Sequence, residues 1–357
     1  MSERDSRIGN PERILVVRLA GIGDVVMAST VVSRLRAEQP GARITWLCGD
    51  VAGPIVRLFD GVDEVITVNE HDVYRGGTAT RARTLFALWA RLIAGRFDRV
   101  IVLHVDRRYR VLVAPLIRAK KVFLSRAKHG EMIPVPGRFL GDEYARLVET
   151  TAHVGLIERR YAIADVRHRF PRAVRTDDRK RVILVPGGAR NVLRENAQRR
   201  WPVEWYAAVA AALIADGCDV VLVGNAQDAW VRPAFEGLPV VDRIGSLDLP
   251  QTVAQMADSD LVISHDTGPA HLARLVRAPL VALFGPTEPR QMLSMDETVT
   301  VLWGGEHLAC RPCYDGREFA TCSDNRCMKD IPPSRVIGVA REILARAVNE
   351  STMSLER

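Results

Sequence analysis

Ser264-His265-Asp266-Thr267-Gly268-Pro269-Ala270-His271 combines residue types that can hold an anion. The octapeptide follows the apolar run Leu261-Val262-Ile263 and precedes Leu272-Ala273-Arg274-Leu275, so a short buried strand passes through a tight turn into a helix. Asp, Thr and Gly suit the helix start, and Pro269 falls where an early helical position needs no N–H. Such a corner points backbone N–H groups and the positive end of a helix dipole beyond the strand, which makes it a seat for phosphate. Over its first half, an ordinary capped strand-to-helix turn reads the same way. His271, about one turn after Thr267 and facing the same mouth, tips the reading toward a site. A second apolar strand over 279–284 ends in Gly285-Pro286-Thr287-Glu288-Pro289 and delivers another polar loop to that crevice.

Gly21-Ile22-Gly23-Asp24 also joins a strand to a helix, but it lacks the third glycine of a dinucleotide fingerprint, since Val26 stands there. Asp24 would repel a pyrophosphate seated at that helix start, which argues against a nicotinamide cofactor. Its carboxylate either caps the helix or serves as a general base that accepts a hydroxyl proton. A further strand-end loop, 186–202, opens on Pro186-Gly187-Gly188 and carries Arg190, Arg194, Arg199 and Arg200. Guanidinium groups pair bidentately with phosphate oxygens, so the loop suits a diphosphate leaving group, and Trp201-Pro202 would pin Arg199 and Arg200 to the next helix. Cys310-Arg311-Pro312-Cys313, then Cys322 and Cys327, have the spacing of a tetrahedral thiolate site for structural zinc or iron, with disulfides or free thiols as the alternatives. Cys48 and Cys218 lie in apolar strand patterns and read as small buried hydrophobes.

Elements that position these residues alternate strand and helix twice over, which predicts two parallel α/β layers. At 357 residues the chain is long enough for two such domains. The expected division is 1–160, a linker over 161–180 rich in arginine, 181–332, and a closing helix over 333–357 that returns to the first domain. The segment 125–139 reads as a long functional loop, and a helix is expected over 143–154. Hydrophobic content of 47% with 26% charged residues is that of a folded globular protein, and the polar start has no signal-peptide core, so a cytoplasmic location is expected. A net charge of +7 favours anionic partners, whether nucleic acid, anionic lipid or phosphorylated glycolipid. Nucleic acid fits least, because no RNA-binding, helix-turn-helix or zinc-finger signature is present.

Asp24 after a Gly-x-Gly turn, Pro186-Gly187 followed by Arg199-Arg200-Trp201-Pro202, and Asp266-Thr267-Gly268-Pro269-x-His271 followed by Leu283-Phe284-Gly285-Pro286-Thr287 together resemble glycosyltransferase family 9, the ADP-heptose heptosyltransferases of bacterial lipopolysaccharide. The resemblance implies a GT-B fold, with two Rossmann-like domains facing across a cleft, and inverting sugar transfer without a catalytic metal or other cofactor. It implies Asp24 as the base and a nucleotide-sugar site formed by Gly187, Arg199, Arg200, Asp228, Asp266, Thr267, Gly268 and His271. Arg199 takes the place of a lysine common in the family. Gly23, Arg107 and Lys128 would face the acceptor, an anionic glycolipid, polysaccharide or protein, with peripheral contact to the inner membrane. The four-cysteine segment is similar to that of the autotransporter heptosyltransferases, in which iron is the occupant. A nucleotide-sugar epimerase or hydrolase of the same fold is the alternative.

Overall fold

The computed structural model of the chain describes residues 10–355 apart from 20, 125–126, 129–130, 133–136, 149–161, 174, 176, 191–193 and 315–317. In the N-terminal half, β1 (Arg13–Val17), α1 (Ile22–Ala28), α2 (Thr30–Glu38), β2 (Arg43–Gly49), α3 (Gly53–Val56), β3 (Glu64–Val68), α4 (Glu70–Tyr74), α5 (Thr78–Gly95), β4 (Arg99–Val102), α6 (Arg108–Leu112) and β5 (Lys120–Phe123) alternate. A hairpin of β6 (Ala127–Lys128) and β7 (Glu131–Met132) leads to α7 (Leu140–Arg146). The second half runs β8 (Arg181–Val185), α8 (Val203–Ala215), β9 (Asp219–Leu222), β10 (Val241–Asp242), α9 (Leu249–Ala257), β11 (Leu261–His265), α10 (Gly268–Leu275), β12 (Leu280–Phe284), α11 (Pro289–Met292) and β13 (Val299–Trp303). It closes with α12 (Arg326–Lys329) and α13 (Pro333–Leu355).

Both large sheets are parallel, in the orders β3-β2-β1-β4-β5 and β10-β9-β8-β11-β12-β13. Strands β11 and β12 are buried along their whole length and β1 and β8 in all but the first residue, as expected for apolar runs covered by helices on both faces. Each sheet reverses its winding direction once, between β1 and β4 and between β8 and β11. A crevice opens beyond the strand ends at such a reversal. The segments that follow β1, β8 and β11 carry Asp24, in the first turn of α1, Arg199 and Asp266, so the topology brings the sequence-predicted chemistry to two facing crevices.

The halves meet tightly. Helices α1 and α10 pack on each other, and one hydrophobic cluster runs from Ile14 and Val25 to Ala270 and Leu275. A Cβ added at Gly23 would stand 2.6 Å from the His271 ring, so only glycine lets α1 approach α10 this closely. The Val166 N–H donates to Leu275 O at 2.8 Å, Ala164 N–H to Ser29 Oγ at 2.8 Å, and Gly137 N–H to Glu288 Oε2 at 2.8 Å, which ties the connector and the 125–139 segment across the divide. The arginine-rich connector is clamped by Asp260, which receives Arg172 at 2.5 Å and Arg175 at 2.6 Å.

Three expectations change. The 125–139 segment contains a short antiparallel hairpin, with Lys128 paired to Glu131. Helix α7 ends at Arg146, and the remainder of the helix expected to 154 largely lies outside the described residues. Over its described side chains the closing helix packs within the second domain, α13 lying on α8, β11 and β12. Its apolar stripe Val336, Ala340 and Leu344 recurs every four residues and completes the outer core of the second domain with Trp201 and Tyr206. No helix among the described residues is long and apolar enough to cross a membrane.

Candidate active site

Asp24 lies in the first turn of α1, where no side chain caps the helix, and its Oδ1 is 2.8 Å from an Arg18 guanidinium nitrogen. Arg18 directly follows β1, is buried, donates from Nη1 to Leu103 O at 2.6 Å and stacks its guanidinium 5.5 Å from the centre of the Tyr144 ring. Burial opposes its charge, yet the facing Asp24 carboxylate, with Tyr144 and Tyr109, leaves its pKa above the ordinary value. Asp24 is thus one half of an ion pair whose other half is fixed by the fold, while its own side chain stays one-third exposed toward the cleft. The simple capping role is ruled out in favour of an oriented carboxylate.

His104 follows β4 on the same side. Its Nδ1 accepts from Asp106 N–H at 2.9 Å, which leaves the proton on Nε2, and its ring stacks on Tyr109 with centroids 4.2 Å apart. Burial first, then the positive charge of Arg18, pushes its pKa down to about 3, so the ring is neutral. From the second domain Tyr314 comes near enough to feel Asp24, and burial together with that carboxylate pushes its hydroxyl up to about 12.

Across the cleft, α10 opens on Thr267 with no side-chain cap, and Asp266 is almost fully buried behind it. Asp266 Oδ2 accepts from Thr287 Oγ1 at 2.7 Å and faces Arg199 Nη1 at 3.4 Å, so the two neighbouring strand-end loops do converge. Arg199 Nε is buried without a partner. Because Arg199 also lines the cavity, its guanidinium can donate to an anion there. His271 sits one turn into α10; burial lowers its pKa against the pull of Asp266 and Asp24. Gly188 (φ +86°) and Ala189 (φ +57°) turn the first donor-side loop back on itself. Ala189 N–H donates to Thr267 Oγ1 at 2.9 Å, and Gly188 N–H donates to Asp228 Oδ1 at 2.8 Å.

Between the domains lies a cavity of about 290 Å³. Gly23 and Asp24 line one wall and Arg199, Asp266, Thr267, Gly268 and His271 the other, with Arg190 at the rim. Val223, Leu247, Leu249 and Met292 make an apolar end to which Asn225 and Thr252 add polar groups. One end therefore suits a flat heterocycle and the other a diphosphate.

Other expected residues are placed differently. Gly187 packs so closely on Asp228 that a Cβ there would lie 2.5 Å away, and Asp228 itself lines the cavity with both oxygens taken by the Gly188 and Asn225 N–H groups. Asp228 thus joins two loops. Arg200 is held by Gly188 O at 2.9 Å, Glu195 at 2.7 Å and the Trp230 face, and it braces the loop instead of lining the cavity. Arg107 is exposed before α6, and of Lys128 only the backbone is described. All six cysteines are free, and among the described residues no group of three His, Cys, Asp or Glu is arranged to hold a metal ion. Cys310 and Cys322 sit exposed and Cys313 and Cys327 half-buried, and all four line one cavity.

Two parallel α/β domains with an anion seat in one and an oriented carboxylate in the other form a GT-B architecture. Comparison with known proteins agrees: the description "Glycosyltransferase family 9 (heptosyltransferase)" matches residues 148–322. The lipopolysaccharide core heptosyltransferase OpsX of Haemophilus influenzae is 23% identical over 317 residues, spanning 82% of this chain and 85% of that one. Among solved structures, a family 9 glycosyltransferase from Veillonella parvula superposes with a TM-score of 0.72 at 21% identity, covering 94% of this chain and 97% of that one. The ADP-heptose lps heptosyltransferase II of E. coli gives 0.67 at 20% identity over 94% and 99%. The family 9 match thus covers just under half of the chain, and the likeness in fold extends over nearly all of it.

Sequence reasoning missed Arg18, His104 and Tyr314 at the site. A charged residue directly following an apolar strand marked Arg18, and a histidine at the end of β4 marked His104. The half-buried ring of His104 has a pH consequence. Its pKa is about 3 in the fold against an ordinary 6.5, so the unfolded chain takes up this proton first and stability falls as pH drops from 6.5 toward 3. Thermal melting of His104→Gln across that range should show a shallower loss than the wild type; parallel curves would mean that the ring is not held neutral.

Proposed function

We propose that the protein transfers a heptosyl group from ADP-heptose to a hydroxyl of the lipopolysaccharide core, at the cytoplasmic side of the inner membrane, with inversion at the anomeric carbon. Carrying this reading is the opening of Asp24 and the α10 N-terminus into one cavity from opposite walls. The relatives' activities, heptosyl transfer to lipopolysaccharide among them, support the donor and acceptor classes.

The chemistry follows from charge. Asp24 accepts the acceptor hydroxyl's proton as that oxygen bonds to the anomeric carbon, and the bond from that carbon to the ADP phosphate oxygen breaks. ADP leaves with the electron pair, stabilised by Arg199 and the N-terminus of α10. Arg18 fixes the carboxylate's direction, and the buried neutral His271 fills the wall without adding a charge. Asp24→Asn keeps the size of the side chain and removes its basicity. Turnover should fall by roughly two to four orders of magnitude, while ADP still raises the thermal midpoint as in the wild type. Wild-type turnover in this variant would remove Asp24 from the chemistry.

A second reading concerns Cys310, Cys313, Cys322 and Cys327, which line one cavity of about 260 Å³. The Asn325 N–H donates to Cys322 Sγ at 3.3 Å, a contact that steadies a thiolate, while burial pushes the Cys313 thiol up and the Cys327 thiol up to about 11, so a metal would have to displace those protons. We infer that zinc or iron draws the four sulfurs together as a structural site, with no open position for chemistry. Elemental analysis of purified protein should find about one metal ion per chain, lost in Cys313→Ser. Metal-free protein with an unchanged melting curve after metal addition would contradict it.

A further inference from the structure

The two oxygens of Asp24 are not equivalent. Oδ1 is paired with Arg18 at 2.8 Å, and Oδ2 carries no such pairing among the described residues, so Oδ2 is the oxygen left to take a proton. Arg18 in turn donates to the carbonyl of Leu103, and the next residue in the chain is His104. A second tether holds the imidazole beside the same turn. Its ring lies flat on Tyr109, with centroids 4.2 Å apart and planes 4° apart, and the Tyr109 hydroxyl donates to Leu19 O at 3.0 Å. His104 is therefore fixed from two directions against the turn that leads into α1 and Asp24.

The two ring nitrogens have different tasks. Nδ1 accepts the Asp106 N–H at 2.9 Å, so the ring carries its proton on Nε2. Burial and the charge of Arg18 keep the imidazole neutral. With Nδ1 occupied, the ring offers the cleft a hydrogen-bond donor and no base, and it does not compete with Asp24 for a hydroxyl proton. Among the described residues nothing accepts from Nε2, although Asp24 is close enough for its charge to act on the ring. Nor is that nitrogen sealed away. His265 Nε2 is enclosed in the core without a partner, whereas His104 is half-buried and its Nε2 reaches open space. His104 also stands outside the lining of the donor cavity, one wall of which Asp24 forms. The unused N–H thus lies on the first-domain side of the base, away from the diphosphate seat.

We propose that His104 is an acceptor-binding residue: its Nε2–H donates to an oxygen of the acceptor next to the attacking hydroxyl, and so turns that hydroxyl onto Asp24 Oδ2. The inference rests on the transfer reading above and adds a requirement to it. The acceptor must carry a second oxygen, hydroxyl or carboxylate, beside the one that attacks; a sugar meets this requirement and a simple alcohol does not. A neutral donor suits the place, because a cation there would form a second ion pair with Asp24 and lower its basicity.

Initial rates of ADP release from ADP-heptose, with lipopolysaccharide from a heptose-deficient strain as acceptor, test this on the full chain. His104→Leu removes the donor N–H and should lower kcat/KM for the acceptor about tenfold, with KM for ADP-heptose and the rise of the thermal midpoint with ADP unchanged. His104→Gln places an amide N–H near the lost Nε2–H and should stay within about threefold of the wild type. In histidine 15N spectra of the wild type with ADP bound, the Nε2 signal of His104, identified by its absence from His104→Gln, should move when the acceptor is added; this readout needs no folded leucine variant. Equal losses in both variants, an unchanged kcat/KM in His104→Leu, or an Nε2 signal that ignores the acceptor would overturn the proposal and leave the transfer reading intact. A wild type that releases no ADP from ADP-heptose with this acceptor would take down the transfer reading, and the inference with it.

Discussion

Two helix N-termini meet head to head at the centre of this molecule, α1 from one domain and α10 from the other, with Gly23 pressed on His271. Each end carries a partial positive charge, equivalent to about half an elementary charge. Their approach needs negative charge, and the chain supplies Asp24 in the first turn of α1 and Asp266 just before α10. Each carboxylate is then steadied by an arginine, Arg18 for the first and Arg199 for the second. The cavity is what remains between two carboxylate-arginine pairs that the sheets cannot move apart without breaking the shared core.

The pairs are not equivalent, and the difference divides the chemistry. Arg18 is fully enclosed and spends a second N–H on Leu103 O, so it can do little besides aim Asp24. Arg199 faces Asp266 at the looser distance of 3.4 Å and, unlike Arg18, lines the cavity. An incoming diphosphate can therefore recruit Arg199 without dismantling a strong bond. Asp266, anchored instead by Thr287, remains in place behind the helix end.

Much of this was legible in the sequence wherever local signals and buried apolar runs coincide. Strands β8, β11 and β12 and the turns that follow them announce themselves by composition, and Asp24, Arg199, Asp266 and His271 fall where the motifs put them. What escaped depends on partners distant in the chain. Arg18 gains its meaning from Leu103 and Tyr144, and His104 from Tyr109 and Arg18. Arg200 looked like a phosphate ligand until Gly188, Glu195 and Trp230 were seen to occupy it. The apolar stripe of α13 was readable, but which domain it covers was not, because a four-residue repeat names a buried face and not the surface that buries it.

The account is tested most directly by a crystal structure of the complex with ADP. It predicts the terminal phosphate at the Thr267–Gly268 end of α10 within hydrogen-bond reach of Arg199, the adenine at the Val223–Leu249 end, and Asp24 facing that phosphate across the space a sugar would fill. Phosphates bound away from α10, or an Asp24 turned out of that space with Arg18 still holding it, would contradict the account.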